Sequence, residues 1–151
     1  MKLFYRMTVK RIVPLLLFIA ALPGLSWGRG VDVSDRPLDP TGLWLGHYNC
    51  AQGLTGLSLS IRSIDGVDPS VMAAVFDFYP LPENPTATGQ FTMQGIWDAD
   101  TQRLLLIPEA WVNQPPGWDM VGLDLRPTED FALLTGLVSS PQCGHVFLQR
   151  D

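Results

Sequence analysis

Residues 56–64 read GLSLSIRSI, and this stretch decides the fold. Leucine or isoleucine occupies positions 57, 59 and 61, whereas serine or arginine occupies the positions between them. An alternation with period two is typical of a β-strand that buries one face. The next apolar stretch, Val71–Tyr79, repeats the pattern with Asp77 on its polar face. The turn residues Asp65 and Gly66 between the two stretches predict a hairpin.

The same alternation between turn signals continues along the chain and predicts about eight short strands. We expect them at Gly42–Cys50, Gly56–Ile64, Val71–Tyr79, Gln90–Trp97, Arg103–Ile107, Trp118–Leu125, Phe131–Val138 and His145–Arg150. No stretch of ten or more residues shows a helical apolar stripe. The sequence therefore predicts an all-β domain over residues 42–151, a small antiparallel barrel or sandwich. Its inward rows of Trp, Phe, Met and Leu predict a filled interior.

The 151-residue chain begins with the pattern of a secretory signal peptide. Four basic residues within the first 11 precede an apolar run at 12–25, and small residues at 26 and 28 fit cleavage after Gly28. A retained anchor is the alternative, but a span needs about 20 apolar residues and this run is shorter. We expect residues 1–28 to be removed and residues 29–41, polar and with two prolines, to form a flexible lead-in. The predicted location is periplasmic or secreted, with no membrane contact after cleavage.

The predicted mature chain is acidic. Residues 29–151 contain six arginines, no lysine and 15 acidic residues, which gives a net charge of −9. This balance argues against nucleic acid or an anionic membrane as a partner. It would attract a basic partner, although plain solubility is the simpler explanation of an acidic surface.

The chain has two cysteines, Cys50 and Cys143. In an exported protein an even number of cysteines predicts a disulfide, here between the first strand and the last. The bond would close a loop of about 94 residues and stabilise the fold by roughly 4.5 kcal/mol in the chain-entropy model.

Candidates for catalysis or metal binding are few. His47 and His145 are the only histidines, and the disulfide would bring their strand ends together. Metal sites need three or four ligands, so exposed strand histidines are the simpler interpretation. The acid pairs at 65/68 and 98/100 lie in predicted turns, where Asp favours turn geometry. We therefore expect no catalytic residue, no metal and no cofactor.

Two proline-rich loops are the candidate partner-binding surfaces. Loop 108–118, PEAWVNQPPGW, holds Trp111, Asn113 and Trp118, and aromatic side chains on a stiff loop lose little entropy on contact. The alternative is that both tryptophans fill one end of the barrel. Loop 80–89, PLPENPTATG, offers small contacts and is otherwise a plain hairpin connection. Its candidate residues are Thr86, Thr88 and Gly89.

The run YNCAQG at 48–53, followed by LSLSI at 57–61, resembles the opening of the periplasmic inhibitors of c-type lysozyme. The resemblance implies a small β-barrel and a small-residue segment, inserted into the lysozyme cleft, that leads to an aromatic side chain. TATGQF at 86–91 stands in the comparable place, with threonine in place of serine. The second family motif includes a lysine, and this chain has no lysine after Lys10.

The span 42–150 is also similar to an uncharacterised module of secreted proteobacterial proteins. The similarity rests on GLWLGHYNC at 42–50, PPGW at 115–118, MVGL at 120–123 and the closing Cys143 with Phe147-Leu148. This module brings no function with it.

These observations favour an exported, non-catalytic binding protein with a protein partner, such as a basic lysozyme-like hydrolase. The first alternative is a lipocalin-like carrier of a small apolar ligand inside the barrel. The second is a small envelope enzyme that uses His47 or His145.

Overall fold

The computed structural model describes residues 39–151, so the predicted signal peptide and most of the lead-in lie outside the described residues. Eight strands make up the described fold. They are β1 (Gly42–Cys50), β2 (Gly53–Ser63), β3 (Val71–Tyr79), β4 (Gly89–Asp98), β5 (Arg103–Asn113), β6 (Gly122–Pro127), β7 (Leu133–Ser139) and β8 (Cys143–Arg150). Within residues 39–151 no helix is long and apolar enough to cross a bilayer.

Each strand pairs antiparallel with its neighbours in sequence, and β8 pairs with β1 to close the barrel. The predicted disulfide between Cys50 and Cys143 is confirmed, and it joins β1 to β8 at that closing seam. Of the two architectures that the sequence left open, the barrel is the correct one. Closure leaves no strand unpaired along its whole length, which limits a route to aggregation, although β5 beyond Leu106 has no partner on its β6 side.

The alternation in the sequence determines which side chains point into the barrel. The residues at 57, 59 and 61 of β2 are buried, and so are those at 72, 74, 76 and 78 of β3. Because strands run up and down, the connections fall into two groups at opposite ends. Residues 64–70, 99–102 and 128–132 lie at what we call the closed end, and residues 51–52, 80–88, 114–121 and 140–142 lie at what we call the mouth.

Two predicted boundaries around β5 and β6 are wrong. We expected β5 to stop at Ile107 before Pro108, but it continues to Asn113 with two bulges against β4. Proline lacks the N–H that a ladder hydrogen bond needs. The missing donor is tolerated here because β6 pairs only with Leu104–Leu106, so Pro108 has no partner strand on its β6 side. Strand β6 begins at Gly122 instead of Trp118, which leaves a long connection at the mouth.

Side chains fill the core at the closed end, and an open surface cavity of about 510 Å³ lies between connections 64–70 and 99–102. Trp97 packs edge-on against Phe131, with ring centroids 5.9 Å apart, and the ring of Trp44 is fully buried. The guanidinium of Arg150 lies 4.4 Å from the Trp44 ring centroid. It donates hydrogen bonds to the carbonyls of Asp39, Thr41 and Phe131. The last residues of the predicted lead-in are thus held against the barrel.

Candidate functional site

The interior opens into a cavity of about 330 Å³ at the mouth. The predicted filled interior is therefore correct for the barrel axis and wrong at this end. All four mouth connections contribute to the lining, and the disulfide lies in the wall. This volume is at the lower limit of pockets that hold small organic ligands.

Aromatic rings line the depth of the cavity. Phe76 and Phe91 face each other across β3 and β4, stacked with centroids 4.5 Å apart and an angle of 14°. Nearer the opening, Trp118 stacks on Phe78 at 4.7 Å and 22°. Phe78 is buried whereas Trp118 is half-buried, so part of the indole remains accessible.

Polar groups form one wall. The buried Asn84 donates from Nδ2 to Oγ1 of Thr55 at 2.8 Å, and the Thr55 hydroxyl donates to the carbonyl of Gly53 at 3.3 Å. Burial raises the pKa of Tyr48 to about 12, although hydrogen bonds with Thr55 and Gln52 act in the opposite direction. The Tyr48 phenol therefore stays neutral at physiological pH and offers the cavity a hydroxyl, not a charge.

Connection 80–88 is held in place by its own backbone bonds. The Asn84 amide donates to the carbonyl of Leu81, and the Ala87 amide donates to the carbonyl of Asn84. The methyl of Ala87 is fully buried and fixes the connection to the core. Thr86, beside it, is exposed and lines the cavity.

Connection 114–121 owes its shape to the PPGW sequence. The Trp118 amide donates to the carbonyl of Pro115 at 3.4 Å, and Gly117 has a φ of 77°. Proline at the second position and glycine with positive φ at the third are the signature of a type II turn. This turn directs Trp118 back onto Phe78 instead of out into solvent.

The candidate binding residues do not form one surface. Thr86 and Trp118 line the cavity, whereas Thr88 is exposed outside its lining. Gly89 is buried beneath Phe78 and Pro115, where a Cβ would lie 2.4 Å from the phenyl ring. Its absent side chain thus makes room for the aromatic packing.

Two other candidates lie on a strand, because the predicted loop 108–118 is strand as far as Asn113. Trp111 of β5 is half-buried and packs edge-on against Phe91 with centroids 5.2 Å apart. Asn113 is exposed at the end of the same strand, opposite Gln90. The two tryptophans therefore differ in position, and only Trp118 reaches the cavity.

Several residues of the cavity lining are not among the candidates predicted from the sequence. They are Tyr48, Gln52, Asn84, Asp119, Ser140 and Gln142. A sequence signal could have found them. In an up-and-down barrel every second connection lies at the same end, so the connections 51–52, 80–88, 114–121 and 140–142 should meet at the end that holds the disulfide.

The two histidines lie outside the cavity lining. His47 of β1 and His145 of β8 flank Phe147, with ring centroids 5.8 and 6.1 Å from its ring. Phe147 is 49% exposed, so this group lies on the outer wall of the barrel.

The turn acids behave as turn residues. Asp68 accepts hydrogen bonds from the amide and hydroxyl of Ser70, and Asp98 accepts from the amides of Asp100 and Thr101. These hydrogen bonds lower the pKa of both carboxyls. In residues 39–151 no group of three or more potential ligands is placed to hold a metal ion.

The fold and the site define a class: a disulfide-closed, eight-stranded antiparallel barrel whose core is packed at one end and opens at the other into a cavity lined by aromatic and polar side chains. Comparison of the chain with protein-family models, curated proteins and solved structures finds no match.

Proposed function

We propose that this protein is an exported binding protein without a reaction of its own, and that it holds a protein partner at the mouth. The observation that carries the proposal is the convergence of all four mouth connections on one aromatic-lined cavity. Binding sites are usually concave and combine aromatic side chains with convergent polar groups, and this cavity has both, with polar groups forming the larger share of its accessible lining. Turn and backbone hydrogen bonds hold the connections, so little ordering entropy is lost on binding.

Export is supported by the N-terminal sequence pattern and is compatible with the disulfide. Disulfides persist in the periplasm and outside the cell and are rare in the cytosol. The proposed location is therefore periplasmic or extracellular.

The proposed partner is a basic protein, and a lysozyme-like hydrolase is the class to test first. Residues 39–151 contain 13 acidic residues and four arginines, a net charge of −9. Complementary charge speeds association with a basic protein and makes it sensitive to salt. The resemblance of residues 48–61 to lysozyme inhibitors points in the same direction.

The test is inhibition of c-type lysozyme by the purified, oxidised protein at low and at physiological ionic strength. We expect inhibition that weakens with salt and that Trp118→Ala reduces at least tenfold, since buried aromatic anchors dominate interfaces. Ile107→Ala is the matched control, because Ile107 is a large apolar residue, 66% exposed, on the outer wall. No inhibition at high micromolar protein would overturn the lysozyme assignment, and equal losses in both variants would overturn the mouth as the site.

The cavity also favours a second candidate, a carrier of a small apolar ligand. Eight-stranded barrels can hold one small molecule, and aromatic rings form the floor here. Native mass spectrometry of protein purified without denaturation tests this function. A bound molecule that Trp118→Ala releases would favour the carrier, and the bare polypeptide mass alone would count against it.

A further inference from the structure

We propose that the mouth cavity recognises a positively charged side chain, a guanidinium or ammonium group of the partner, between the indole of Trp118 and the carboxylate of Asp119. This inference rests on the proposed function, because it assumes that the mouth is the binding site. It adds the chemistry of the group bound there.

The first observation is how the charges are distributed between the two ends. The mouth connections contain Glu83 and Asp119 and no arginine, lysine or histidine. All four arginines in residues 39–151 lie within two positions of the closed end of their strands. They are Arg62, Arg103, Arg126 and Arg150. A cation that approaches the mouth therefore meets carboxylates and no fixed positive charge.

The second observation is the chemistry of the cavity lining. It combines aromatic rings, amides and hydroxyls with one carboxylate, that of Asp119. The raised pKa keeps the Tyr48 hydroxyl neutral, so the phenol adds no negative charge below pH 10. Aromatic faces attract cations, most strongly on tryptophan, and the Trp118 indole is partly accessible. An anionic ligand would enter this cavity without any lining cation to pair with.

The third observation is size. A cavity of about 330 Å³ is small for a drug-sized molecule and is open to solvent at the mouth. It fits one long side chain, whose aliphatic stem would contact Phe78 and whose head group would reach the polar rim. Arginine and lysine combine such a stem with a charged head.

The experiment follows the indole N–H signals of ¹⁵N-labelled, oxidised protein by NMR during titration with N-acetyl-arginine methylamide. The neutral isostere N-acetyl-citrulline methylamide is the matched probe, and Trp118→Phe identifies the Trp118 signal. We expect millimolar binding that moves the Trp118 signal, with citrulline at least threefold weaker. Asp119→Asn should weaken arginine binding about twofold to fivefold, as expected for an exposed ion pair. Asp100→Asn, which removes a charge at the closed end, should leave it unchanged.

The outcomes separate this inference from the proposed function. Equal binding of the two probes, or arginine shifts confined to the closed-end signals of Trp44 and Trp97, overturns the cationic side chain. If arginine leaves Trp118 unmoved while c-type lysozyme moves it, the inference fails and the mouth remains the binding site. If lysozyme leaves Trp118 unmoved as well, both proposals fail for this partner.

Discussion

The two ends of the barrel use aromatic side chains in opposite ways. At the closed end, Trp44, Trp97 and Phe131 pack inward and are buried, and an open surface cavity of about 510 Å³ lies beside them, between connections 64–70 and 99–102. At the mouth, Phe78 and Trp118 stack along one wall and leave about 330 Å³ open. The difference shows that aromatic content alone does not distinguish a plug from a site. What distinguishes them is burial, because Trp44, Trp97 and Phe131 are buried whereas Trp118 is half-buried.

The two ends are also held together differently. At the closed end one side chain, Arg150, hydrogen-bonds to three carbonyls in two separate segments of the chain. At the mouth the Cys50–Cys143 bond joins the first strand to the last. A covalent frame can tolerate an open cavity, whereas a packed end depends on contact.

The largest expected effect is that of the disulfide. The paired change Cys50→Ala and Cys143→Ala should lower the free energy of unfolding by about 4.5 kcal/mol, because the bond closes a long loop in the unfolded chain. The two cysteines are 93 residues apart in sequence. Urea unfolding of the variant and of the oxidised protein measures the difference. A loss below about 1 kcal/mol would show that packing, and not the bond, frames the mouth.

The second prediction compares one tryptophan from each end. Trp97→Ala should cost about 3 to 4 kcal/mol, because it leaves a cavity beside Phe131 in a filled core. Trp118→Ala should cost about 1 kcal/mol, because the half-buried Trp118 already borders open space. Denaturant unfolding of the two variants under one set of conditions gives both values. Equal costs would remove the distinction between plug and site.

Much of the fold could be predicted because alternation reports burial directly. The bounds of β1 and β3 agree with the sequence analysis, since each strand alternates cleanly from a defined start. The limits of β5 could not be read locally. Pro108 signals a strand end, but a proline is tolerated where the strand has no partner on that side. The start of β6 depends on tertiary packing, which the local sequence does not report.

The site could be predicted only in part. The sequence picked out Thr86 and Trp118, which line the cavity, because threonines that follow a proline-rich run and a PPGW turn are local signals. It missed Tyr48 and Asn84, which lie far apart in sequence and meet only through Thr55. It also grouped Trp111 with Trp118 in one loop, because the extension of β5 through Trp111 to Asn113 was not predicted.

The third prediction uses alkaline pH to probe the polar wall of the mouth. Burial raises the pKa of Tyr48 to about 12 from 10.0. The unfolded chain therefore ionises first, so stability is constant below pH 10 and falls as pH rises towards 12. The expected loss is about 2 to 3 kcal/mol, at 1.36 kcal/mol per pKa unit.

Urea unfolding between pH 9 and 12 measures this loss in the oxidised protein, in Tyr48→Phe and in the control Tyr79→Phe. The exposed Tyr79 donates its hydroxyl to the Gly46 carbonyl on the outer wall. The Tyr48 variant should lose most of the slope, and the Tyr79 variant should keep it. A slope unchanged by Tyr48→Phe would show that the phenol is better solvated than its burial implies.

The smallest expected effect concerns the seam between β5 and β6, which leads from the closed end towards the mouth. Only Leu104–Leu106 of β5 pair with β6, so the mouth half of β5 lacks this neighbour. Below that gap Arg103 forms two hydrogen bonds with Asp124, from Nε at 2.9 Å and Nη2 at 2.7 Å. The side chains are 42% and 32% exposed, so Asp124→Asn should cost less than about 1 kcal/mol at neutral pH.

The Arg103–Asp124 pair should stabilise the fold only while Asp124 is ionised. Hydrogen bonds from Arg103 lower the pKa of Asp124 below its ordinary value of 3.8. The contribution of the pair is therefore complete above pH 3.8 and disappears as pH falls through the lowered value. Asp124→Asn and the unchanged protein should thus converge in stability at acidic pH and at high salt. Hydrogen exchange at Leu104 and Leu106 should quicken in the variant while exchange around Trp97 stays slow. If both regions quicken together, the seam and the closed end form one cooperative unit, and the independence of the two ends is lost.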